Sequence, residues 1–125
     1  MSTLKVNTIQ NTSGGSSSTP EQIEQGRAKA WIRFDSTGTP SIIDSFNISS
    51  INEISDGSNT ISFTTAFANA SYIGIPTASS GDNGAFSLMH SDFLATGSCR
   101  LICRTERTTN RSGFPYTAVA FFGDQ

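Results

Sequence analysis

Between residues 27 and 122 one pattern recurs: apolar residues at every second position, in runs of five to ten residues separated by turn signals. An extended strand points successive side chains to opposite faces, so this alternation commits the chain to half-buried strands rather than helices. In 27–34, Ala28, Ala30, Ile32 and Phe34 share one face, and Arg27, Lys29, Trp31 and Arg33 share the other. In 41–50, Ile42, Phe46 and Ile48 fall together, and Ile61, Phe63 and Thr65 do so in 60–67. Residues 51–55 form another strand, joined to 60–67 by Asp56-Gly57-Ser58-Asn59, a hairpin signal. Further strands are predicted at 71–77, 85–91, 98–105 and 116–122. Between them stand the turn clusters Ser80-Gly81-Asp82-Asn83-Gly84 and Asn110-Arg111-Ser112-Gly113. Strands of this length and spacing predict an all-β fold, a single antiparallel β-sandwich or jelly-roll-like domain.

Composition supports strands. Twenty Ser and 15 Thr make up more than a quarter of the 125 residues, and nine Phe supply apolar bulk. Low net charge (-2) with this aromatic content excludes ordinary disorder. The length suits one domain with a modest core. Arg100, Arg104, Arg107 and Arg111 hold half of the eight basic residues, which reads as a solvated strand and loop. With a pI near 5.1 and no basic tail, nucleic-acid binding is not supported. Cys99 and Cys103, four apart on one strand, stand roughly 13 Å apart, beyond the ~7 Å that a disulfide spans. They are expected as free, buried thiols, in keeping with a reducing cytoplasm. The opening MSTLKVNTIQ has no apolar signal region, and no run reaches membrane-spanning length, so neither export nor a membrane partner is expected.

The first 26 residues differ. Residues 1–19 are expected as an anchoring arm: a short strand over 3–10, then a flexible Ser/Gly linker over 11–18. Leu4, Val6 and Ile9 are its candidate assembly contacts. Thr19 can cap a helix over 20–26, with Pro20 in the first turn, Gln22 at capping-box spacing and Gly26 as the stop. The organisation is thus arm 1–19, connecting helix 20–26 and β domain 27–125.

Catalytic chemistry finds little support. His90, Ser91 and Asp92 are consecutive, and neighbours on a strand point to opposite faces, so they make no triad among themselves. Cys99, Cys103 and His90 lack zinc-ligand spacing, and no phosphate-binding glycine loop occurs. The carboxylates Asp44, Glu53, Asp56, Asp82 and Asp92 show no pairing in sequence. Asp82, Asn83 and Asp92 match no calcium-loop pattern; turn chemistry accounts for Asp82 and Asn83. No enzyme activity, cofactor or metal is expected. Trp31, between Lys29 and Arg33, could stack on a sugar or fill a subunit interface, and Tyr72 and Tyr116 share that ambiguity.

Three segments carry a family resemblance. Thr3-Leu4-Lys5-Val6-Asn7-Thr8-Ile9-Gln10-Asn11 resembles the opening of many tail-fibre-like proteins of cyanophages and marine phages. Gln22-Ile23-Glu24-Gln25-Gly26-Arg27-Ala28-Lys29-Ala30-Trp31 followed by Phe34 resembles the start of their β domain. The run from Asp44 to Ile51, with Phe63-Thr64-Thr65-Ala66-Phe67 and Asn69-Ala70-Ser71-Tyr72, is similar to its continuation. The resemblance covers residues 3–72 and fades beyond. It implies a homotrimeric virion protein anchored to other virion proteins through residues 1–19; the chain's aromatic residues add host surface polysaccharide as a candidate partner, and its cysteines fit assembly in the host cytoplasm. Without a fibre shaft or repeat, a capsid decoration (cement) protein or head spike is the alternative expectation.

Overall fold

The computed structural model describes residues 1–79, 85–105 and 111–125. Among these the alternation becomes strands close to their predicted places. Ahead of the β domain come β1 (Ile9–Gln10), β2 (Ser17–Ser18) and α1 (Pro20–Gly26). The domain itself runs β3 (Ala30–Asp35), β4 (Ser41–Phe46), β5 (Ile48–Ser55), β6 (Ser58–Phe63), β7 (Ile73–Ser79), β8 (Ala85–Met89), β9 (Ser98–Thr105) and β10 (Tyr116–Phe122). A 3-10 turn, Ser91–Phe93, precedes β9.

The expectation of one β-sandwich or jelly roll is corrected. Among the described residues the strands divide among three separate antiparallel sheets, β1-β2, β4-β3-β10-β7 and β5-β6-β9-β8, with one α-helix beside them, and no sheet is closed or curled. Alternation says which face of a strand is buried and nothing about its hydrogen-bond partners. The stretch 41–50, predicted as one strand, shows why. Asn47 sits in the left-handed region at φ 57 and breaks it, sending β4 to one sheet and β5 to another. Asn is among the few side-chain residues that tolerate this conformation. Its amide secures the corner: Nδ2 donates to the carbonyls of Lys29 and Thr65, and Oδ1 accepts from the Thr65 N–H at 2.7 Å.

Both four-stranded sheets turn an apolar face to the same core. Ala30, Ile32 and Phe34 of β3 and Val119 and Phe121 of β10 meet Ile61 and Phe63 of β6 and Cys99, Leu101 and Cys103 of β9. Each large side chain buried in this way contributes about 1.5–3 kcal/mol. One end is aromatic: Phe67 stacks on Tyr72 at 4.4 Å, and Phe63 stands edge-on to Phe67 and Phe121 at 5.0 Å each. At the other end the loop before β10 locks onto the loop after β3. The Phe114 N–H donates to Ser36 Oγ at 2.8 Å, and that hydroxyl donates to the Phe114 carbonyl at 3.1 Å.

α1 forms as its signals predict. Thr19 Oγ1 accepts from the Gln22 N–H, and the Gln22 side chain accepts from the Thr19 N–H, a reciprocal capping box with Pro20 in the first turn. It ends at Gly26 because Arg27 is already extended (φ -87, ψ 132). The arm departs from expectation. Only Ile9 and Gln10 of the predicted 3–10 strand pair, with Ser17 and Ser18 of the supposed linker, across a turn with Gly14 and Ser16 in the left-handed region.

Candidate functional site

Two surfaces hold the residues singled out in the sequence. The first is the arm. Leu4, Val6 and Ile9 are all exposed, Leu4 at 86%. With Pro20 and Ile23 of α1 they line an open apolar cleft of about 570 Å³. None of these side chains joins the core. α1 is strapped to the domain beneath: Gln25 Nε2 donates to Asp124 Oδ1 at 2.7 Å, and Glu24 pairs with Lys29 and with Arg27. Lys29, placed on the water-facing side by alternation, is buried here. Its backbone N–H donates to the Phe121 carbonyl ahead of β3, and its ammonium is closed over by α1. Hydrogen bonding from Lys29, then the charge of Arg27, holds the Glu24 carboxyl below its ordinary range.

The second surface is the outward face of the β4-β3-β10-β7 sheet. Phe46 lies opposite Trp31, Trp31 opposite Ala120, and Ala120 opposite Ile75, so one cross-strand row reads Phe46, Trp31, Ala120, Ile75. The next row reads Asp44, Arg33, Ala118, Thr77. The two alanines make the floor of a trough of about 330 Å³, walled by Trp31 and Arg33 on one side and Ile75 and Thr77 on the other. Tyr116 lines it too, with the Arg33 guanidinium 4.9 Å above its ring centroid. The structure therefore brings Trp31 and Tyr116 together. Phe46, Ile75 and Arg33, not singled out as functional from sequence, belong with them, as does Ile73 further along β7.

Tyr72 is elsewhere. It is buried in the aromatic end of the core, its hydroxyl 3.0 Å from both the Ala95 and Ser98 carbonyl oxygens. Burial, together with nearby Cys99, pushes its phenol well above its ordinary value. Cys99 and Cys103 are free and buried on the inward side of β9, as expected. Burial pushes the Cys99 thiol up to about 12 and raises Cys103 as well.

The segment 90–93 is a turn rather than the end of a strand. His90 packs on Phe93 at 4.9 Å, and the Arg100 guanidinium stacks 3.6 Å over the same ring. A cleft of about 320 Å³ opens beside them, lined by Thr60, Asp92, Leu94 and Ser98 among others. Asp82, Asn83, Arg107 and Asn110 lie outside the described residues. Comparison with protein-family models, with curated proteins and with solved structures finds no match to this chain.

Proposed function

We propose that this chain is a non-catalytic structural component of a bacteriophage particle, fixed by residues 1–19 and holding its β domain at the particle surface. The observation that carries this reading is the exposed apolar set Leu4, Val6 and Ile9, joined by Pro20 and Ile23 and left uncovered by the domain's own core. Water-exposed apolar groups gathered in one concave place gain free energy when another surface covers them. The tail-fibre resemblance of residues 3–72 supplies the kind of partner.

α1 ties the arm closely to the domain through Gln25–Asp124 and Glu24–Lys29, so a particle that grips the arm holds the domain near its own surface. That favours, as a second reading, a capsid decoration (cement) protein or head spike over a long fibre tip.

The chain is expected to co-purify with phage particles, with residues 1–18 protected from protease while bound. Because no residue of 1–18 joins the core, a chain lacking them should fold and stay in the supernatant. Normal incorporation of that truncated chain, or of Leu4→Asp with Ile9→Asp, would overturn the proposal.

A further inference from the structure

We infer that the outward face of the β4-β3-β10-β7 sheet is covered by a second copy of this chain. β7 states the case most sharply. Its inward positions hold Gly74, Pro76 and Ala78, while its outward positions begin with Ile73 and Ile75, 59% and 60% exposed. A lone chain gains most by the opposite arrangement, large apolar groups inward and small ones outward. Gly74 lies against the flexible side chain of Met89, whose Sδ would stand 2.9 Å from a Cβ placed there. The isoleucines therefore serve something outside this chain.

The rest of the face agrees. Phe46 is 53% exposed, and with Trp31 and Ile75 it makes three of the four members of one row large and apolar. The outward face of the other large sheet is mixed, with Ser50 paired to Ser62, Asn52 to Thr60 and Thr60 to Arg100, alongside Ile54, which is 55% exposed. A row of large, half-exposed apolar side chains on one sheet face marks a surface that another protein covers.

Charge points to a like partner. Arg33 and Asp44 are direct neighbours on this face, and neither forms an ion pair among the described residues. Opposite charges side by side let two copies of one face meet, each charge against its opposite, whereas a face of one sign would repel its copy. The chain's net charge of -2 adds little repulsion. Four strands about 4.8 Å apart and six residues long give about 400 Å² in projection, before side-chain relief. That is the same order as the ~800 Å² per partner of a standard interface.

The inference stands whether or not the arm binds a particle, and the test keeps them apart. Trp31 is the chain's one tryptophan, so intrinsic fluorescence reports this face alone. In sedimentation velocity the full chain should run at a multiple of 13.3 kDa, with Trp31 emission moving to longer wavelength on dilution. Ile75→Asp and Trp31→Glu should each return it to 13.3 kDa with unchanged far-ultraviolet circular dichroism. Ser62→Asp on the other sheet and Leu4→Asp on the arm should leave it associated. A wild-type monomer overturns the inference, and so does association that survives both face substitutions or is lost with Leu4→Asp. A monomer whose Trp31 fluorescence is quenched by oligosaccharide would overturn it in favour of a sugar site.

Discussion

Glu24 of α1 holds the ammonium of Lys29, a lysine only 3% exposed at the entrance to β3. A cation buried to that degree needs a counter-charge, and removing the anion leaves it desolvated and unpaired. Glu24→Gln should lower the melting temperature by a few degrees, and adding Lys29→Met, which removes the stranded charge, should recover most of the loss. The folded-state carboxyl lies below its ordinary value, so its contribution is present above the unfolded value of about 4.3 and is lost as pH falls through the folded one. Thermal melts of wild type and Glu24→Gln should therefore converge at the acid end. Curves that stay parallel down to the lowest pH would show that the charge is not the cause.

Tyr72→Phe removes the hydroxyl that meets the Ala95 and Ser98 carbonyls while keeping the ring in its stack with Phe67. Leaving two partly buried acceptors without that donor should cost about 1–3 kcal/mol by denaturant titration. Tyr72→Ala, which also empties the ring's place, should cost about 3–5 kcal/mol. Neither should change self-association while the chain is folded, because Tyr72 faces the core and not the outer sheet face.

Cys99 and Cys103 should be silent to a thiol reagent in the native chain and should both react once it unfolds, giving labelling at the rate of opening. The folded thiol of Cys99 stays protonated up to about 12, whereas the unfolded one ionises from about 8.5. The folded value is the higher one, so this contribution is complete below about 8.5 and is lost as pH rises toward 12. Cys99→Ser and Cys103→Ser would place a hydroxyl among apolar neighbours and should each destabilise the fold, measurably so in urea.

Gly57 is the turn residue of the β5–β6 hairpin at φ 67, and a Cβ there would stand 2.4 Å from the Ser112 nitrogen. Gly57→Ala meets both a disfavoured backbone region and a backbone clash, and should cost at least about 1–2 kcal/mol. Gly26, at the end of α1, has open space where its Cβ would be and no positive φ. Gly26→Ala should stabilise by up to about 1 kcal/mol through helix propensity and a less free unfolded chain. Calorimetry on the pair separates them by sign.

Features set by a few consecutive residues were legible. Strand positions followed from alternation, α1 from Thr19, Pro20 and Gln22, and the β5–β6 turn from Asp56-Gly57. The inward placing of Cys99 and Cys103 followed from their even spacing. What went unread depended on distant chain. Lys29 alternates with Ala28 and Ala30 and so read as solvent-facing, yet α1 folds over it. Trp31, Tyr72 and Tyr116 were indistinguishable as aromatics on strands, and only two of them share a face. Ile73 and Ile75 fell on the predicted 71–77 strand, but no local pattern told which of its faces turns outward.

By itself the sequence determined that this chain is built of short half-buried strands behind a capped helix and an arm carrying Leu4, Val6 and Ile9. Only the tertiary structure decided how those strands are shared among three sheets, that the chain turns a corner at Asn47, and that the β4-β3-β10-β7 sheet keeps an apolar face to the outside. The division has one physical cause. Alternation, capping and turn conformation are fixed by steric and hydrogen-bonding preferences within a few residues. Strand partners and the buried side of an ambiguous strand are chosen by packing free energy between segments tens of residues apart, which no local pattern records.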